Sequence, residues 1–369
     1  MDSLKSMLSA ICSAHMWLPP NVTWDRVLKY TGYSLFLYSI PLAIILAIIK
    51  YFLERHFFVY FGKYLGVNDT KVKKAPPNEI LEKAYINKKL QGKQILALAK
   101  QLDWSERKIE RWIRIRRSQD KPSTLTKFCE CGWRFAYATW SFLYGLIILW
   151  NKPWLWDIKQ CYDNYPDHVV TNDVWWFYAM TAALYLLLSV SQFFEVRRKD
   201  FWANFVHHII CNLLLYSSWI TNWTRIGALF VFIHDPVLIF IEIAKMTHYA
   251  NYQRTCHIAF IIFITTWTIT HLTLFPFWII RSMWFQFPRF NIHLTYVLFM
   301  TLACLLFLLH IFWTWFILKT TYSIFLVGKI QRDSRSESEH SDTENFDDNM
   351  VINNTTTYIG KQSHKQKTR

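Results

Sequence analysis

Two histidines, His207 and His208, stand side by side in an apolar stretch, and a His234-Asp235 pair sits in the next one. An ionisable side chain inside a membrane-crossing helix costs several kcal/mol. A lone histidine on an apolar helix is ordinarily a satisfied core residue. An adjacent pair, followed one helix later by a histidine beside a carboxylate, is harder to explain as packing. A neutral imidazole next to a carboxylate is a competent general base. If the chain turns back near Trp223, antiparallel register sets His207–Cys211 beside Asp235–Ile239, so that His207, His208 and Asp235 share one pocket. Asp235, Leu238 and Glu242 follow i, i+3, i+7 and fall on one helical stripe. His234, Arg225, Glu242 and Lys245 are the nearest groups that could support them. Arg225 and Lys245 lie near opposite ends of the second helix and cannot serve one ligand.

The elements that must hold these groups are membrane helices. Hydrophobic residues make up 53% of the 369, aromatics 18%, and there are only 9 glycines, which excludes an ordinary soluble domain. Seven apolar runs are long enough to span a bilayer: about Ser34–Leu53, Gly132–Trp150, Val174–Phe193, Trp202–Ile220, Ile226–Ile243, His257–Ile280 and Leu294–Leu318. The start of the chain is too short and broken for a signal peptide, so the first run acts as a signal anchor. Glu54 to Phe128 carries 18 Lys/Arg against 8 Asp/Glu, which assigns it to the cytosol. Asn151–Asp173 is acidic and therefore lumenal; Arg197-Arg198-Lys199 returns to the cytosol. The N-terminus is then lumenal and the C-terminus cytosolic. Asn21 is a glycan acceptor on the lumenal side. The sequons at Asn68 and Asn353 fall in the cytosol, and Asn222 sits too tightly against the membrane. The net charge of +15 suits the cytosolic face of a membrane and anionic lipid.

Seven scattered cysteines show no paired metal spacing and no disulfide framework; no metal is expected. The tail from Lys329 is polar and aperiodic, hence disordered. Ser336, Ser338 and Ser341 sit among acids there as candidate phosphorylation sites, although a plain solubilising tail reads equally well.

Between the first two spans lies a soluble island. Helical patterns open at Asn78, at Gln94 and at Ser105, where the serine can cap, with Ile109, Trp112 and Ile113 repeating at helical spacing. The run Trp112–Arg117 is similar to the recognition helix of homeodomains. The position where homeodomains carry an adenine-reading Asn is Ile115 here, and an apolar residue cannot make that bidentate contact. DNA is therefore an unfavoured partner; anionic headgroups or the phosphates of coenzyme A suit the basic face better. The expected architecture is all-α and polytopic: about seven transmembrane helices with a small cytosolic three-helix homeodomain-like insert and a disordered tail.

As a combination the motifs resemble those of the ceramide synthases, TLC-domain membrane N-acyltransferases. The family pattern is His-His, then Asn-x-x-Arg-x-Gly, then His-Asp-x-x-Asp-x-x-x-Glu-x-x-Lys. It is met by His207-His208, by Asn222, Arg225 and Gly227, and by His234, Asp235, Glu242 and Lys245. Trp17–Trp24, Gln101–Trp104, Lys121–Thr126, Lys152–Trp156, Arg198–Phe201 and Ala244–Met246 are flanking landmarks of the same family. The resemblance implies residence in the endoplasmic reticulum membrane and acyl transfer from acyl-CoA, a co-substrate in place of any cofactor, to the amine of a sphingoid base. One histidine of the pair then acts as base or as transient acyl acceptor. Lys245 is the candidate for coenzyme A, and the loop Arg281–His293 the candidate for chain-length selection. Homo- or hetero-oligomers with other members are also open. The implied division is 1–33 lumenal, 34–53 first span, 67–128 insert, 131–332 TLC domain and 333–369 tail. The second motif Asp is Leu238 here, and Pro236 should kink its helix. Those departures favour a rival reading, a catalytically impaired member acting as a sphingolipid sensor or regulatory partner.

Overall fold

The computed structural model describes residues 13–67, 74–87, 92–196, 200–286 and 294–327. The sequons at Asn68 and Asn353, the Arg197-Arg198-Lys199 triplet, most of the loop before the last helix, and Ser336, Ser338 and Ser341 lie outside these residues. Among the described residues every regular element is helical. A short α1 (Trp24–Thr31) leads into α2 (Ser34–Phe52), which is prolonged by a wider winding over Leu53–Phe58 and by Val59–Tyr64. The insert supplies α3 (Glu79–Ile86), α4 (Gly92–Leu102) and α5 (Glu106–Gln119). The bundle continues with α6 (Thr124–Leu149), α7 (Asn172–Ser191), α8 (Phe201–Ile220) and α9 (Thr224–Tyr249). Then come α10 (Gln253–Trp267) and, last of the described helices, α11 (Leu294–Val327).

Five of the helices are long and apolar enough to cross a membrane by length and composition: Trp24–Tyr64, Asn172–Ser191, Thr224–Tyr249, Gln253–Gln286 and Leu294–Tyr322. The two remaining expected spans form α6 and α8, whose lower apolarity comes from charged and imidazole groups. Leu37, Ile40, Ile44 and Ile48 of α2 are exposed, as an outer face meeting lipid requires. The insert folds as its pattern indicates. Asn78 caps α3 by accepting from the Leu81 amide (3.0 Å), and Ser105 caps α5 by accepting from the Lys108 amide (3.3 Å). Leu81, Ile109, Trp112 and Ile113 form its buried centre. Arg116 grips Glu82 at 2.8 Å and Asp120 at 2.5 Å. Hydrogen bonds from that guanidinium and from the Tyr85 hydroxyl hold the Asp120 carboxyl below the usual carboxylate range.

The most extensive helix pairing joins α6 to α9. Gly145 permits the close approach: a Cβ there would stand 3.1 Å from Phe232 and 3.2 Å from Phe177. The expected kink at Pro236 does not interrupt α9, which remains one helix through it. Beyond α10 the chain winds more widely over Thr268–Ile280, the hydroxyl of Thr273 reaching back five residues to the Thr268 carbonyl (3.0 Å). Its buried residues are Thr270, His271, Phe275 and Ile279.

The turn between α8 and α9 falls where the sequence places it. Asn222 adopts φ 56°, a conformation Asn tolerates, and its buried amide donates to the carbonyls of Pro166 (2.7 Å) and His168 (2.9 Å). That engagement keeps it from accepting a glycan, whereas Asn21 is exposed. Below the turn, the Tyr178 hydroxyl donates to the Thr224 carbonyl (2.9 Å), with Ser218 Oγ at 3.1 Å. Gly227 faces this pair, and a Cβ there would overlap the Tyr178 hydroxyl and stand 2.8 Å from Ser218 Oγ. Gly227→Ala is expected to cost about 1–3 kcal/mol and to lower the melting temperature in detergent by roughly 5 °C. Tyr178→Phe, which removes the obstructing hydroxyl, should make the second substitution cheaper; thermal melts of the two single variants and the double variant measure that coupling.

Candidate functional site

A cavity of about 1410 Å³ runs through the bundle. Its lining includes Arg117, Lys121 and Lys127, from the insert and its junction with α6, together with Arg134, Lys245, His207, His208, His234 and Asp235. The expected sharing of one pocket by the His pair and Asp235 is therefore met.

The His207-His208 pair comes from α8 and the His234-Asp235 pair from α9. His207 lies in α8 one turn before Cys211, whose Sγ is 3.6 Å from its Nε2, and the ring of Trp313 in α11 stands edge-on at 5.4 Å. His208 is tied to its own turn through Asn212 Nδ2, which donates to the His208 carbonyl at 2.9 Å. Its Nδ1 is buried without a hydrogen-bond partner among the described residues, leaving it free for a ligand. Asp235 accepts from Ser141 Oγ of α6 at 2.7 Å. The carboxylate expected to set an imidazole tautomer is thus oriented by a hydroxyl of α6, a partner the α8–α9 register argument did not consider. Leu238 lines the cavity wall at the position of the missing acid.

Sequence reasoning treated His234 as support for the pair. Its Nδ1 instead lies 2.6 Å from the Phe230 carbonyl, and its ring faces His271 (4.6 Å between centroids) and His310 (5.2 Å). Those two histidines were missed. The available signal was their cost, an imidazole deep inside each of the two apolar runs that close the bundle. Arg225 sits outside the cavity lining: it donates to the Gln160 carbonyl (2.8 Å) and anchors the loop before α7.

Glu242 and Lys245 belong to a buried charge network. Lys245 Nζ is 2.7 Å from Glu242, which also lies 3.6 Å from Arg134 Nε. Arg134 reaches Glu195, in the loop beyond α7, at 2.9 Å and Glu130 at 3.6 Å, and Glu195 in turn pairs with Lys50 of α2. The network fastens α2, α6, α9 and that loop to one another beside the cavity. A smaller apolar cleft shares Tyr185 with the cavity and is walled by Leu214, Ile226, Phe275, Ile279 and Phe299.

Residues 127–319 match the TLC-domain family. The chain is 38% identical to human ceramide synthase 5 over 90% of its own length and 87% of that protein. It is 35% identical to human ceramide synthase 4 over 89% and 85%, and 35% identical to human ceramide synthase 3 over 88% and 86%.

The network carries a pH prediction. Burial pushes the Glu195 carboxyl up, but Arg134 and Lys50 outweigh it and hold the group down to about 2. A depressed carboxyl stabilises the fold fully above its unfolded pKa of about 4.3, and that contribution fades as pH falls from there toward 2. Glu195→Gln leaves two buried cations short of a partner and is expected to cost on the order of 3 kcal/mol at neutral pH. Melts from pH 7 to 3 should show the wild-type advantage constant down to about pH 4.5 and shrinking below.

Proposed function

The chain belongs to the ceramide synthase family of TLC-domain membrane proteins, and from that premise we propose that it transfers a fatty acyl group from acyl-CoA to the amine of sphinganine or sphingosine. The observation that carries the reading is the single cavity in which basic side chains and buried imidazoles meet. A coenzyme A tail carries phosphates; Arg117, Lys121, Lys127 and Lys245 supply cations for them. The acyl chain needs an apolar wall, and Leu184, Leu188, Phe260, Phe263 and Phe316 line the same cavity.

A sphingoid base reaches the site as an ammonium and must lose a proton before its nitrogen can attack. One imidazole of the His207-His208 pair takes that proton and the nitrogen adds to the thioester carbon; as the C–S bond breaks, the nitrogen's surplus proton passes to the departing coenzyme A thiolate. In the covalent variant of the same chemistry the imidazole first accepts the acyl group and passes it to the amine. Asp235, fixed by Ser141, offers negative charge to the cation that forms in either route. Leu238 removes one acid from the family pattern, while both histidines and Asp235 remain in place.

The same reading puts the protein in the endoplasmic reticulum membrane with seven crossings, a lumenal N-terminus and a cytosolic C-terminus. Membranes from cells lacking ceramide synthases should form labelled dihydroceramide from labelled sphinganine and acyl-CoA when this chain is expressed. His207→Ala should lower that rate by about 100-fold or more. Wild type without product, alongside a Leu238→Asp variant that gains it, would overturn the reading. For the topology, Asn21→Gln should abolish an endoglycosidase-sensitive gel shift that Asn222→Gln leaves unchanged.

A further inference from the structure

His234 of α9, His271 of the wide winding after α10 and His310 of α11 are buried together, each offering a ring nitrogen within 4.8 Å of the others. The hydrogen bonds around them fix which nitrogens keep a lone pair. The Phe230 carbonyl can only accept, so His234 Nδ1 carries the proton and Nε2 is bare; that Nε2 is buried without a partner among the described residues. The Thr270 hydroxyl is 2.8 Å from the Thr266 carbonyl and 2.7 Å from His271 Nδ1. It donates to the carbonyl and accepts from Nδ1, which leaves His271 Nε2 bare as well. Neither nitrogen of His310 has a partner among the described residues, and both are buried. One neutral His310 contributes a single N–H. The cluster therefore gathers three lone pairs against one donor, and imidazole-to-imidazole hydrogen bonds cannot satisfy it.

An electron-pair acceptor at the centre resolves the mismatch. We propose that His234, His271 and His310 bind one divalent zinc ion. Three neutral imidazoles with a fourth position left open form a known coordination type for zinc. A ligand histidine whose other ring nitrogen donates to a backbone carbonyl or a hydroxyl is the usual supporting arrangement, and His234 and His271 both have it. Nitrogens bound at about 2.1 Å to a tetrahedral ion stand roughly 3.4 Å apart, so the rings must close in by about an ångström. Trp267 stacks on His271 at 4.2 Å and Phe275 lies 5.1 Å from His234, an apolar collar that limits competition by bulk water. All three histidines line the main cavity, which leaves the fourth position facing it. Sequence spacing suggested no metal because the ligands come from three separate helices.

The test uses the full chain, purified in detergent without a polyhistidine tag or chelator. Elemental analysis should find about one zinc per chain in the wild type and less than about a tenth in folded His271→Ala and His310→Ala. Zinc absent from the wild type, with no uptake of zinc or cobalt(II) after chelator treatment and dialysis, would overturn the proposal. Full stoichiometry retained in both alanine variants would do so too, placing the metal elsewhere. Should the alanine variants fail to fold, cobalt-loaded His310→Cys decides. A thiolate-to-cobalt charge-transfer band absent from the cobalt wild type supports coordination at position 310; a folded, cobalt-loaded variant without the band refutes it.

Discussion

An imidazole or carboxylate between membrane helices has no water to turn to, and its hydrogen-bonding partner must come from another part of the same protein. Much of the bundle is arranged around that deficit. Ser141 reaches across from α6 to Asp235, Lys50 and Arg134 converge on Glu195, and Glu242 lies between Arg134 and Lys245. These contacts join elements that are distant in sequence, so the polar residues that lower the apolarity of α6 also fasten that helix to its neighbours. The cavity is the volume left between them, lined both by these charges and by apolar side chains such as Leu188 and Phe263.

The motif residues were legible because their types are costly and their spacing is local. His207, His208 and Asp235 could be placed on one pocket from a single assumption, the turn near Trp223, and that turn is present. The insert was legible for another reason: capping residues and the Ile109, Trp112, Ile113 repeat are local signals, and α5 follows them. What the sequence did not disclose depends on contacts between distant segments. Nothing near position 235 indicates that its partner is Ser141. Nothing near Arg225 indicates that it is consumed by the carbonyl of Gln160 in a loop far upstream. His271 and His310 each look like isolated polar residues in apolar runs, and their meaning depends on three helices meeting at one level.

The turn between α8 and α9 is fastened from two sides. Asn222 sews it to the preceding loop, and Tyr178 of α7 is bonded across it to Thr224 and Ser218. These bonds hold the near ends of the two helices that carry the His pair and Asp235.

The wide winding at Thr268–Ile280 has a different kind of consequence. His271, Phe275 and Ile279, four residues apart, lie on one buried stripe of this i→i+5 winding. One residue deleted there would tighten the segment and rotate everything after it by about 100° relative to what precedes it. His271 would then no longer share a face with Phe275 and Ile279, and the cavity and the apolar cleft would be lined from different sides. Amino-acid replacements on the outward positions leave that alignment intact. Across the family this stretch should therefore vary in composition while its length is held constant.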